Sequence, residues 1–169
     1  MMNIVLTGFM GTGKTAVGRE LARLLSMRLV DIDSEIEAER DMKITDIFEN
    51  YGEPYFRDLE TRMIVRFAQE KNVIISTGGG AVLRDENMAA LRTNGIVFCL
   101  YAAPETILLR TGRSDDRPLL NVEDPLAKIR ELLGRRMPFY EKAGVMIDTE
   151  EKTPLQVAEE IAAIVRCKK

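Results

Sequence analysis

Near the N-terminus, Gly8-Phe9-Met10-Gly11-Thr12-Gly13-Lys14-Thr15 matches the pattern GxxxxGK[ST] in full, after the apolar run Asn3 to Thr7 and before helical spacing from Ala16 to Leu25. Glycines let a backbone turn tightly enough for consecutive N–H groups to converge on phosphate oxygens, and a helix starting there adds the positive end of its dipole. Gly11, Thr12, Gly13, Lys14, Thr15 and Ala16 are therefore candidate nucleotide-phosphate ligands, with Lys14 reaching the terminal phosphates. The Thr15 hydroxyl is placed to ligate Mg²⁺, which would keep waters and nucleotide oxygens in its octahedral shell. A glycine turn that only caps a helix does not require Lys-Thr at this spacing.

A second cluster is Arg28-Leu29-Val30-Asp31-Ile32-Asp33. Strand alternation puts Leu29, Asp31 and Asp33 on one side. The C-terminal ends of parallel strands line the ligand crevice of an α/β sheet, so this pair is expected beside the phosphate loop. Asp31 would sit near the metal, and Asp33 could accept the proton of an attacking hydroxyl. A second reading stays open: Ser34-Glu35-Ile36-Glu37 fits the capping box S-x-x-E, so Asp33 could merely precede a helix cap.

The elements that must position these groups are legible from periodicity. Short Val- and Ile-rich runs alternate with helical segments, the signature of strand-helix-strand units and a parallel sheet. Five strands are predicted, at Asn3 to Thr7, Arg28 to Ile32, Asn72 to Ser76, Gly95 to Leu100 and Val145 to Asp148. The polar stretch TGRSDDRPLLNVED breaks the pattern and reads as a mobile lid, before a helix containing Leu126, Ile129, Leu132 and Leu133. Thr153 and Pro154 announce a C-terminal packing helix as N-cap and first helical residue.

At 169 residues the chain has the length of one domain. A net charge of -3 argues against a nucleic-acid binder, and no segment is apolar over the roughly 20 residues that a membrane span needs. The start MMNIVLTG lacks the form of a signal peptide, so a cytoplasmic protein is expected. Cys99 and Cys167 form no CxxC motif and there is no histidine, so both read as free thiols. Local arginine groups, Arg110, Arg113 and Arg117 and then Arg135 and Arg136, suit a small anionic ligand.

Further motifs follow in order: Gly52-Glu53-Pro54-Tyr55-Phe56-Arg57 with Glu60, Ser76-Thr77-Gly78-Gly79-Gly80, Arg117-Pro118-Leu119-Leu120, and Arg136-Met137-Pro138-Phe139-Tyr140. Together with the phosphate loop and the D-x-D, the sequence resembles the shikimate kinase family over about residues 4 to 154. The resemblance implies an α/β three-layer P-loop fold with a five-stranded parallel sheet of order 2-3-1-4-5. It implies one kinase domain over 1–169, with a core at 1–32, 61–110 and 124–169, a substrate-binding segment at 33–60 and a lid at 111–123. The implied reaction is transfer of the ATP γ-phosphoryl to the 3-hydroxyl of shikimate, with one Mg²⁺; a monomer is the default expectation.

By the same resemblance, Arg57 and Arg136 would hold the substrate carboxylate and Glu60 would orient Arg57. Asp33, Gly78, Gly79 and Gly80 would contact the polyol, and Thr15 with Asp31, through a water, would hold the metal. Arg117 would close over the transferring phosphate, and Arg110 would stack on adenine. Lys152, also a candidate for ATP contact, and Thr153 stand where family members often carry an arginine and an asparagine. From spacing alone, Arg57 and Glu60 could equally be an exposed i, i+3 salt bridge and Arg110 a solvated helix arginine. Rival functions are a kinase for another small molecule, such as gluconate or a nucleoside monophosphate, and a nucleotide-binding regulator; a switch GTPase would need an NKxD motif that is absent.

Overall fold

The computed structural model describes residues 2–112 and 122–167. The chain runs β1 (Asn3–Gly8), α1 (Lys14–Leu25), β2 (Arg28–Asp31), α2 (Ile32–Arg40), α3 (Ile44–Ala68), β3 (Val73–Ser76), a 3₁₀ turn (Ala81–Leu83), α4 (Asp85–Asn94), β4 (Gly95–Tyr101), α5 (Pro104–Thr111), α6 (Pro125–Ala143), β5 (Val145–Asp148) and α7 (Pro154–Cys167). All four strand pairings are parallel and the sheet order is β2-β3-β1-β4-β5, as the resemblance implied. In β1, Ile4 lies between Ile74 and Ile96 of its neighbours.

Strands covered on both faces bury every side chain, which is why they read as continuous apolar runs. Ile4, Leu6, Ile74, Phe98 and Leu100 pack against Val17 and Leu21 of α1 and Val157 and Ile161 of α7. Val5, Val30, Ile75, Val97 and Cys99 point the other way, into Ile36, Ile47, Leu59, Ile64, Met88, Ile107 and Ile129. Burial pushes the Cys99 thiol up to about 12, so it packs as an apolar group. No helix among the described residues is long and apolar enough to cross a membrane.

Two local expectations are corrected. β2 ends at Asp31, and Ile32 already belongs to α2, so strand alternation does not carry on to Asp33. The helix cap is Asp31 rather than Ser34: its Oδ1 accepts from the Ser34 amide at 3.2 Å. An aspartate caps as well as a serine, and standing three residues ahead it takes the N3 amide before Ser34 can act. Glu37, freed from any capping box, accepts from the Ile44 amide at 3.0 Å and so caps α3 instead. At the C-terminal helix the expectation holds, with Thr153 and Gln156 exchanging hydrogen bonds at 2.8 and 3.2 Å. Most of the lid span, including Arg113 and Arg117, lies outside the described residues.

Gly8 closes β1 at φ 134, where a Cβ would overlap the Leu100 carbonyl oxygen. Gly8→Ala is therefore expected to destabilise the fold by about 3 kcal/mol or more, read as a lowered urea midpoint at unchanged m-value.

Candidate active site

The loop from Gly8 to Thr15 wraps the N-terminus of α1. Gly13 precedes the helix in a left-handed conformation with no side-chain cap, so the first amides of α1 face outward as an anion site. Thr12 is buried and its hydroxyl donates to the Phe9 carbonyl at 2.7 Å, which braces the turn from inside. Lys14 Nζ spans the loop, donating to the carbonyls of Gly8 at 2.7 Å and Phe9 at 2.9 Å. Gly11 sits against Thr111 at the end of α5, where a Cβ would come 2.6 Å from the threonine methyl.

Asp31 reaches this loop from the end of β2. While its Oδ1 caps α2, its Oδ2 accepts from Thr15 Oγ1 at 3.2 Å. One hydroxyl beside one carboxylate is a fitting donor pair for a hard cation that takes its other ligands from phosphate and water. Among the described residues no group of three or more His, Cys, Asp or Glu forms a metal cage of its own.

Asp33, one residue into α2 past Ile32, turns toward the same crevice and meets Glu60 from α3. Glu60 is fully buried and holds Arg57 Nη1 at 2.8 Å through Oε2; Arg57 is 14% exposed and also pairs with Glu53 at 3.1 Å. This is a buried ion pair, so the exposed-salt-bridge reading does not apply. Burial pushes the Glu60 carboxyl up against the pull of Arg57. Burial also works against the Arg57 charge, but Glu60 and Glu53 together hold it above its ordinary value. Glu60 Oε1 and Asp33 Oδ1 are buried and have no hydrogen-bond partner.

The glycine triplet is the floor between these groups. A Cβ on Gly78 would lie 2.7 Å from Glu60 Oε1 and 3.3 Å from Asp33 Oδ1; one on Gly80 would overlap the Arg57 guanidinium. One on Gly79 would press on the Gly8 carbonyl at 3.2 Å and stand 3.5 Å from Arg136 Nη1. Each glycine thus admits a different charged group to the backbone. Arg136 comes from α6 and lies over the Phe9 ring, 5.7 Å from its centroid. Tyr140, one turn later, donates its hydroxyl to the Gly79 carbonyl at 2.7 Å.

Asp33 is displaced from its ordinary value as well. Burial first, then the nearby charges of Glu60 and Asp31, push its carboxyl up to about 6 against the pull of Lys14 and Arg57. That poises it to exchange a proton near neutral pH.

Arg110 is exposed on α5 yet bonded to two loops. It donates to Thr149 Oγ1 at 3.0 Å, to the Thr149 carbonyl at 3.1 Å and to the Gly11 carbonyl at 3.4 Å, bridging the phosphate loop and the turn after β5. Lys152 faces the same turn, its Nζ on the Asp148 carbonyl at 3.0 Å and Glu160 Oε2 at 2.8 Å. Sequence reasoning brought together Lys14, Thr15, Asp31, Asp33, Arg57, Glu60, the glycines and Arg136. It did not single out Phe9, Glu53, Tyr140 or Thr149, which join the site through contacts distant in sequence or between opposite charges one turn apart. Tyr140 and Phe9 stood inside motifs, which was their one available signal.

The shikimate kinase family model matches residues 10–166. The chain belongs to the shikimate kinase family. A shikimate kinase of Thermodesulfovibrio yellowstonii is 52% identical over 95% of this chain and 93% of its own, and one of Thermoanaerobacter pseudethanolicus is 51% identical over 100% and 99%. The shikimate kinase of Acinetobacter baumannii, solved in complex with shikimate, superposes with a TM-score of 0.95 at 40% identity, covering 100% of this chain and 95% of that one. A sugar kinase from Janibacter, at 19% identity and a TM-score of 0.60, shares the fold.

Truncating Glu60 strands Arg57 in a mostly buried position with only the exposed Glu53 as partner. Glu60→Ala is expected to lower stability by about 3 kcal/mol in urea denaturation, several times the effect of removing an exposed pair such as Arg23 and Glu20.

Proposed function

We propose that this chain is a shikimate kinase that transfers the γ-phosphoryl of ATP to the 3-hydroxyl of shikimate, giving ADP and shikimate 3-phosphate for aromatic amino-acid biosynthesis. The observation that carries this reading is the pair of buried, unpartnered carboxylate oxygens, Asp33 Oδ1 and Glu60 Oε1, between two arginines and beside the phosphate loop. Such a pocket wants a ligand with hydroxyl donors for the carboxylates and a carboxylate for the guanidiniums. A gluconate or nucleotide acceptor would meet the same loop but a different pocket, and a regulator would have no use for a proton acceptor there.

In this reading, the loop amides and Lys14 hold the β- and γ-phosphates in place. Thr15 and, through water, Asp31 would hold Mg²⁺, which supplies charge neutralisation across the phosphate oxygens. Arg57, oriented by Glu60, and Arg136 hold the shikimate carboxylate, and Gly78, Gly79 and Gly80 let the ring lie on the backbone. Asp33 accepts a hydrogen bond from the attacking hydroxyl and takes its proton as the new P–O bond forms. A loose transition state needs little base help, so aligning that oxygen is the larger part of its work. Arg117 closes on the transferring phosphate, while Arg110 and Lys152 serve the adenine side. The protein would be a single kinase domain acting as a cytoplasmic monomer on small molecules, with 33–60 as acceptor segment and 111–123 as lid.

Coupled ADP release with Mg·ATP tests this directly. Shikimate should support turnover while water, gluconate and AMP do not, and Asp33→Asn should lower kcat by about 10² or more. Turnover with gluconate or AMP in place of shikimate would refute the acceptor.

The Asp33 shift also fixes two pH dependences. Its working form is the carboxylate, so kcat/KM for shikimate should fall with one proton as pH drops below about 6. For stability the sign is opposite. A folded value above the unfolded one means that the native state binds the proton more tightly, so this group's contribution weakens as pH rises from about 4 through about 6. Asp33→Asn should accordingly raise the melting temperature at pH 8 more than at pH 5, although it lowers kcat.

A further inference from the structure

We propose that Tyr140 is a positioning residue that selects the orientation of the Gly79–Gly80 peptide and thereby presents the Gly80 amide to the acceptor. The inference rests on the shikimate reading of the pocket and adds to it a residue that does not itself touch the substrate. Three glycines in a row have little intrinsic preference among backbone conformations, so a peptide plane between them can turn over cheaply. Something else must choose its direction.

The rest of the segment is fastened on either side of that plane. The Thr77 amide donates to the Leu6 carbonyl at 3.0 Å, the Ala81 amide to the Gly78 carbonyl at 3.2 Å, and Asn87 Nδ2, from a fully buried side chain, to the Ala81 carbonyl at 3.0 Å. The Gly79 carbonyl is gripped by the Tyr140 hydroxyl at 2.7 Å. Because the peptide is planar and trans, fixing that carbonyl fixes the Gly80 N–H in the opposite direction.

The hydroxyl is well suited to the task. Tyr140 is 2% exposed, and burial pushes its phenol up to about 12, so it stays a proton donor throughout the working range. Its ring is locked in the core with Cys99 and Ile129. Arg136, one turn earlier on α6, lies against the same hydroxyl and against Gly79. Helix α6 thus delivers both the guanidinium for the acceptor carboxylate and the clamp on the loop beneath the acceptor ring. A shift of α6 would move both together.

The test is steady-state kinetics of Tyr140→Phe, which keeps the ring and removes the donor. Losing a hydroxyl that holds the Gly79 carbonyl and meets Arg136, both on the acceptor side, should raise KM for shikimate about 5- to 10-fold while KM for Mg·ATP stays within about 2-fold. Unchanged KM values, or equal rises for both substrates, overturn the role of Tyr140. Wild-type enzyme without turnover on shikimate overturns the acceptor reading itself, so the two failures are told apart. If the variant does not fold, relaxation-dispersion NMR on the wild type decides. A Gly80 amide free of microsecond-to-millisecond exchange supports the pinned plane, and one that exchanges between two states overturns it.

Discussion

A carboxylate removed from water and paired with a single guanidinium is an expensive thing to build, and the crevice over the glycine loop is arranged around one. Glu60 keeps Arg57 charged and aimed, Arg57 lies flat on Gly80, and the second oxygen of Glu60 closes on Gly78 beside Asp33. The pair sets how near α3 can stand to the glycine loop. It also raises the field at Asp33, since a buried negative charge next door is among the reasons that carboxyl holds its proton to higher pH. Reactivity at one residue is thus a by-product of the packing of another.

Asp31 shows how few groups the site needs when each serves twice. One carboxylate oxygen starts α2 and the other reaches Thr15 in the phosphate loop. The direction in which α2 leaves the sheet is therefore tied to the phosphate loop at Thr15. Asp33 inherits its place from that helix start rather than from the strand.

The phosphate loop and the parallel sheet were legible in the sequence because both are local: a motif of eight residues, and apolar runs whose length and alternation with helices admit few arrangements. Asp31 and Asp33 were expected beside the phosphate loop by an argument that was partly wrong, since the strand whose alternation was invoked ends at Asp31 and Asp33 lies in α2. What could not be read was burial. An i, i+3 pair such as Arg57 and Glu60 has the same spacing on a wet surface as in a core, and only the sheet topology and the family motifs separate the two. Tyr140 reaches Gly79 across 61 residues, a contact with no local trace.

Glu37 belongs to the end of α2 yet caps the start of α3 and pairs with Lys43, which fastens the helix carrying Asp33 to the first part of α3; Arg57 and Glu60 stand on the second part, beyond the break at Gly52. The left-handed backbone at Gly52 lets the chain change direction between the part of α3 that Glu37 caps and the part that brings Arg57 and Glu60 over the glycine loop.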